Sequence, residues 1–325
     1  MVVLNLLILV VGFYALIKGA DLFVDGSSAL AKNFKVPGVI IGLTIVALGT
    51  SAPELAVSTS AALSGSNEIA ISNVVGSNIF NLIVVLGVCA VIHSVPVDTI
   101  ILKRDFPFTI IITLLVLFGT SFSSIANGSF LKMNMSDNAG NVTRALAILL
   151  LVIFVAYIVY LIIDAKRHPV QEEEIESQPV WKCFLLIVIG LVLIVAGGQA
   201  VVYSAKEIAR AAGMTETLIG LTVVALGTSL PELVTSIVAA KKGETGMAVG
   251  NVVGSNLFNL MFILGVSSAI HPIGVNVASV FDMLILVAIS LITYVFAITK
   301  KNINRVEGLI MVAMYIADVA FAIMR

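Results

Sequence analysis

The sequence predicts an all-α membrane protein of ten transmembrane helices, arranged as two inverted five-helix repeats. Three observations predict it. Charged residues make up 11% of the 325-residue chain and hydrophobic residues 59%, with a mean hydropathy of +1.13. Soluble domains carry about 25% charged residues, so this chain cannot coat a water-facing surface. Apolar runs of roughly 20 residues, the length that crosses a hydrocarbon core at 1.5 Å per residue, recur from end to end. Finally, two blocks of sequence each occur twice at one fixed spacing.

The first run, 3–25, lacks the basic segment of a secretory signal and has a counterpart in mid-chain, so it reads as a retained helix. The second, 37–63, carries Pro53, which removes a backbone donor and clashes with the carbonyl one turn earlier, so a break is expected there. Runs at 68–92, 106–121 and 143–163 complete a first unit, residues 1–163. A linker, 164–180, follows, with Lys166, Arg167 and the acidic group Glu172, Glu173, Glu174 and Glu176. It reads as a hydrated loop on the cytoplasmic side. Runs at 181–204, 215–240, 245–270, 280–299 and 305–323 form the second unit, 181–325.

Internal repetition decides how these runs are organised. Positions 42–60 read GLTIVALGTSAPELAVSTS and positions 220–238 read GLTVVALGTSLPELVTSIV. Positions 73–82 read NVVGSNIFNL and positions 251–260 read NVVGSNLFNL. One offset of 178 residues (42 to 220, 73 to 251) aligns both blocks without a gap. Five spans per unit is an odd number, so the second unit enters the membrane from the opposite side. Inverted repeats of this kind characterise secondary transporters, whose sites lie near the midplane.

Placing both termini outside puts twelve Lys and Arg residues on the inner side (Lys32, Lys35, Lys103, Arg104, Lys166, Arg167, Lys182, Lys241, Lys242, Lys300, Lys301 and Arg305). The outer side then holds five: Lys132, Arg144, Lys206, Arg210 and Arg325. That bias favours this orientation in the cell membrane. The sequons at Asn127, Asn134 and Asn141 fall in the loop between the fourth and fifth spans, which this orientation places outside.

The candidate site is the block Gly49-Thr50-Ser51-Ala52-Pro53-Glu54 with its twin Gly227-Thr228-Ser229-Leu230-Pro231-Glu232. A carboxylate inside an apolar span is costly and marks a functional site by default. The carbonyls of Ala47, Gly49 and Thr50, and of Ala225, Gly227 and Thr228, are candidates to leave the helical ladder beside the prolines. Carbonyls, hydroxyls and carboxylates together suit Na⁺ or Ca²⁺. Asn73, Ser77 and Asn81 share one helical stripe, as do Asn251, Ser255 and Asn259. Ser77, Asn81, Ser255 and Asn259 are expected near the ions, with Asn73 and Asn251 behind them. Neither block holds Lys or Arg, which disfavours an anionic substrate. The absence of His and Cys there favours hard cations over zinc or copper. The two glutamates could equally carry protons.

Elsewhere, Lys18 and Asp21 are spaced to pair across a helical turn, and Asp282 and Asp318 read as structural or interfacial. His93, His168 and His271 fall near span ends, and Cys89 and Cys183 form no spaced set. No motif for hydrolytic or nucleophilic chemistry is visible, so no enzyme and no cofactor are expected. A net charge of −1 gives no sign of nucleic acid as a partner. The expected partners are the ions and the lipid bilayer, with the protein itself a monomer.

The paired GTSxPE blocks, each followed by NVVGSN-[IL]-FN, resemble the two alpha-repeats of the sodium/calcium exchangers in the calcium/cation antiporter superfamily, in their prokaryotic form. The resemblance implies a ten-helix bundle with ion sites between the second, third, seventh and eighth spans. It implies Ca²⁺ ligation by Thr50, Glu54, Thr228 and Glu232. It assigns Na⁺ to Ala47, Thr50, Ser51, Glu54, Ser77 and Asn81, and to Ala225, Thr228, Ser229, Glu232, Ser255 and Asn259. It also implies electrogenic exchange of three Na⁺ for one Ca²⁺ by alternating access. Asn259 stands where some archaeal exchangers and the potassium-dependent branch carry Asp, which weakens the case for potassium co-transport. The proton/calcium exchangers have Glu where this chain has Gly76 and Gly254, which leaves proton-coupled cation antiport as the alternative. The linker is too short for the calcium-sensing domains of animal exchangers.

Overall fold

A computed structural model describes residues 2–167, 178–213 and 225–324. Among the described residues the apolar runs are helical. In chain order the helices are α1 (Val2–Asn33), α2 (Gly38–Thr50), α3 (Ala52–Leu63), α4 (Asn67–Ile92), α5 (Ile101–Ala126) and α6 (Arg144–Arg167). The second half gives α7 (Val180–Ala211), α8 (Ala225–Thr228), α9 (Leu230–Lys241), α10 (Thr245–Ile270), α11 (Val277–Lys300) and α12 (Arg305–Met324). Among the described residues, eight helices are long and apolar enough to cross a membrane, and the bent pair α2–α3 makes up to nine. The opening of the run expected at 215–240, including the repeat positions 220–224, lies outside the described residues, as does most of the linker and His168.

The helices overrun several sequence-derived boundaries. α1 and α7 each extend over 32 residues, about 48 Å at the α-helical rise, against a hydrocarbon core of about 30 Å. Such helices tilt or project. The expected span 106–121 is a helix over Ile101–Ala126, with a break at Ser121 (φ −130°, ψ 20°). It begins early because its charged opening is neutralised internally. The Arg104 guanidinium donates to Asp105 (Nε to Oδ1, 2.7 Å) and, across to α6, to Asp164 (Nη1 to Oδ2, 2.6 Å). Tyr157 donates its hydroxyl to Asp105 at 2.8 Å, so the fully buried Asp105 has its partners.

α1 and α7 pack along most of their length in antiparallel order. Small residues at heptad spacing let the backbones meet: a Cβ on Gly12 would lie 3.1 Å from the Gly197 carbonyl oxygen, and one on Gly19 would lie 2.8 Å from that of Gly190. Their outer faces expose Val10, Val11, Tyr14, Val188 and Val192, as lipid contact requires. A second close crossing sets α2 on α10. There a Cβ on Gly250 would lie 2.5 Å from the Val39 carbonyl oxygen, and one on Gly254 would lie 2.7 Å from Leu43 Cα.

Among the described residues four short strands occur in the loops between helices, β1 (Val95–Pro96), β2 (Asn138–Val142), β3 (Ile273–Asn276) and β4 (Asn302–Ile303). They form two antiparallel pairs, β1 with β4 and β2 with β3. Each pair ties the end of α4 or α10 to the start of the last helix of the opposite half.

Candidate functional site

The break foreseen at the prolines is where the site forms. α2 ends at Thr50, Ser51 leaves helical geometry (φ −83°, ψ 11°), and α3 resumes at a 50° bend with Pro53 in its first turn. Ser229 repeats this between α8 and α9 (φ −91°, ψ 7°), with Pro231 in the first turn of α9. Proline is tolerated there because the first turn of a helix has no internal partner for its N–H groups. Glu54 and Glu232 therefore sit in the first turns of half-helices, near the positive ends of their dipoles. One expectation about the backbone is corrected. The Ala47 carbonyl stays in the ladder, accepting from Ser51 N at 3.1 Å, because the break falls after it.

Glu54 and Glu232 are 0% and 1% exposed, and each is held by the serine of the opposite half. Ser51 Oγ donates to Glu232 Oε1 at 2.9 Å, and Ser229 Oγ donates to Glu54 Oε1 at 3.1 Å. Ser77 Oγ lies 3.1 Å from Ser229 Oγ and makes a longer 3.5 Å contact with Glu54 Oε1. The structure thus brings Ser51, Glu54, Ser77, Ser229 and Glu232 into one hydrogen-bonded group. Thr50 Oγ1 lies 3.1 Å from both Val46 O and Asn251 Oδ1.

Behind this group stand the expected supports. Asn73 Nδ2 donates to Ser58 Oγ at 2.9 Å and to the Glu54 carbonyl at 3.2 Å. Asn251 Nδ2 does the same with Ser236 Oγ at 2.9 Å and the Glu232 carbonyl at 3.5 Å. Asn81 opens the π-helical turn Asn81–Val85 and Asn259 is the second residue of another, Phe258–Ile263, turns of a kind frequent at functional sites. The first turn packs against α9 and the second against α3, the helices that carry the two glutamates.

Several buried oxygens here have no hydrogen-bond partner among the described residues: Glu54 Oε2, Glu232 Oε2, Asn81 Oδ1, Asn259 Oδ1, Thr228 Oγ1 and Ser255 Oγ. Buried polar atoms are ordinarily satisfied. Unsatisfied oxygens of these kinds, carboxylate, amide and hydroxyl, are the donor types that suit a hard cation. Ala225 opens α8, and its side chain lies outside the described residues.

Sequence reasoning missed two groups. Asn78 and Asn256 cross between the halves: Asn78 Nδ2 donates to the Asn256 carbonyl at 3.2 Å, and Asn256 Nδ2 donates to the Asn78 carbonyl at 3.3 Å. Both lie in the duplicated NVVGSN block, so the repeat itself was the available signal. The cluster of Arg104, Asp105, Tyr157 and Asp164 was also missed. Its signal was a charged triplet at the mouth of an apolar run.

Comparison with known proteins was consistent across sequence and structure. The sequence profile described as sodium/calcium exchanger protein matches residues 4–163 and 182–324. CaxA of Alkalimonas amylolytica is 37% identical, with 94% of each chain aligned. The sodium/calcium exchanger MaX1 of Methanosarcina acetivorans is 33% identical over 98% of each chain. A solved structure of the sodium-calcium exchanger NCX_Mj, soaked with Na⁺ and Sr²⁺, superposes with a TM-score of 0.83 at 32% identity. That alignment covers 98% of this chain and 99% of that one.

Proposed function

The chain belongs to the sodium/calcium exchanger family, a multi-pass membrane transporter family, and on that premise we propose that it exchanges Na⁺ for Ca²⁺ by secondary antiport. In this reading Ca²⁺ is held by Glu54 and Glu232 with Thr50 and Thr228. Na⁺ draws on the same glutamates with Ala47, Thr50, Ser51, Ser77 and Asn81, and with Ala225, Thr228, Ser229, Ser255 and Asn259. The observation that carries it is the crossed serine–glutamate pair, whose second carboxylate oxygens, Glu54 Oε2 and Glu232 Oε2, are buried and have no hydrogen-bond partner among the described residues.

Charge gives the coupling. Two fixed negative charges match one Ca²⁺, and the same charges shared by three Na⁺ leave one positive charge in excess, so three-for-one exchange is electrogenic. The similar NCX_Mj structure was obtained with Na⁺ and Sr²⁺, a divalent cation of the same hard class as Ca²⁺. Two features support two inverted repeats with both termini on one side of the membrane, which the bias of Lys and Arg makes the outer side. The first helices of the halves, α1 and α7, run antiparallel. Each strand pair also joins loops that this topology places on one side of the membrane.

Vesicles carrying the purified protein, loaded with Na⁺ and diluted into Na⁺-free buffer, should accumulate radiolabelled Ca²⁺. Uptake that ignores the Na⁺ gradient and follows an imposed pH gradient would replace this reading with proton-coupled antiport.

A further inference from the structure

Four buried asparagines lie on α4 and α10, where these helices pack together, and hydrogen bonding fixes the orientation of one of them. Asn78, Asn81 and Asn256 are 0% exposed and Asn259 is 1% exposed. A carboxamide has a donating end and an accepting end, and a backbone carbonyl can only accept. Asn78 places its side chain on the Asn256 carbonyl at 3.2 Å, so the group there must be Nδ2. The Asn78 oxygen is then the atom facing Asn259, which meets it with Nδ2 at 3.0 Å. With its nitrogen held in this way, Asn259 has its oxygen left over, buried and without a partner among the described residues.

We infer that Asn78 is a positioning residue of the cation site: by holding the amide nitrogen of Asn259, it leaves the Asn259 oxygen as the atom free to meet an ion. The inference rests on the proposed cation site and assigns a task within it. A carboxamide reversed end for end would present N–H dipoles to a cation and repel it. Presented by its oxygen, it adds a neutral ligand to a site with two fixed charges. Asn81 has no such holder. The atom equivalent to Asn78 Oδ1 is Asn256 Oδ1, and neither it nor Asn81 Nδ2 has a partner among the described residues. The two halves of the site are therefore unlike, with one amide oriented and the other free to turn.

The test separates orientation from simple packing. The readout is the Ca²⁺ or Na⁺ concentration that gives half-maximal thermal stabilisation of the detergent-solubilised protein, which does not depend on transport. Asn78→Ala should raise that concentration about tenfold, the scale of one lost hydrogen bond. Asn256→Ala removes the equivalent bond between the halves, from Asn256 to the Asn78 carbonyl, but no bond to Asn81, and should shift it less than about twofold. In an Asn259→Asp background the effect of Asn78→Ala should vanish, because a carboxylate presents oxygen whichever way it turns. Equal shifts for Asn78→Ala and Asn256→Ala, or an undiminished shift on the Asn259→Asp background, would overturn the inference. Failure of the antiport reading would appear elsewhere, as wild-type vesicles whose Ca²⁺ uptake is indifferent to Na⁺.

Discussion

At the scale of single residues, charge and hydrogen bonding make separable contributions. Glu54→Gln or Glu232→Gln keeps the shape of a buried side chain and removes one of the two charges proposed to hold a divalent ion. Each variant should lose Na⁺-driven Ca²⁺ uptake in vesicles while still purifying as a folded protein. Retained uptake with normal Na⁺ dependence would sink the assignment. Ser51→Ala and Ser229→Ala act differently, each stripping one donor from the glutamate of the opposite half. A hydrogen bond to a charged group contributes about 1.5–3 kcal/mol. These variants should therefore keep exchange but require roughly tenfold or more Na⁺ for half-maximal rate, measured as Na⁺-dependent Ca²⁺ efflux. The glutamates and serines were legible in the sequence because a carboxylate beside a proline has no bland place in an apolar span. Asn78 and Asn256 were not. Their task depends on which helices cross, and stepping by fours from Asn73 to Ser77 and Asn81 selects a stripe that passes beside them.

Among the elements, the α1–α7 pair illustrates why lipid-facing helices hide their packing from a hydropathy reading. Water marks the buried face of a soluble helix by contrast, but in lipid both faces are apolar and the contact face is marked by small residues instead. Gly12 and Gly19 map to Gly190 and Gly197 by the same offset of 178 that aligns the site blocks (12 to 190, 19 to 197). The pairing is therefore self-complementary, and a Cβ on Gly190 would lie 2.6 Å from Phe23 N. Gly190→Leu should lower stability by about 1–3 kcal/mol, the usual cost of forcing volume into a packed contact. A thermal melt in detergent reads this, with Val11→Leu on the exposed face as the indifferent control. Equal melting of the two variants would count against tight packing at Gly190. Helix positions were otherwise well anticipated from apolar runs. Their ends were not, because pairs such as Arg104 with Asp164 let charged residues continue a helix, and strands as short as β1 leave almost no pattern.

For the whole molecule, duplication relates two halves that are chemically alike but not identical in their bonding. Crossed pairs such as Ser51 with Glu232 and Ser229 with Glu54 appear in both halves. Thr50 meets Asn251, whereas Thr228 Oγ1 has no hydrogen-bond partner among the described residues. A site shared between halves that can differ in this way suits a transporter that must offer its ions to two sides in turn. The charge movement that the proposed three-for-one exchange requires is measurable. When three Na⁺ leave a loaded vesicle for each Ca²⁺ that enters, one net positive charge moves outward per cycle. An inside-positive potential then favours that charge movement, by about 2.3 kcal/mol per 100 mV for one elementary charge. Ca²⁺ uptake should accordingly speed up when a K⁺ gradient and an ionophore set the interior positive, and slow down when they set it negative. Exchange of two Na⁺ for one Ca²⁺ moves no net charge and would ignore the potential. Indifference to voltage in vesicles that still exchange would thus remove the three-for-one stoichiometry while leaving the site assignment standing.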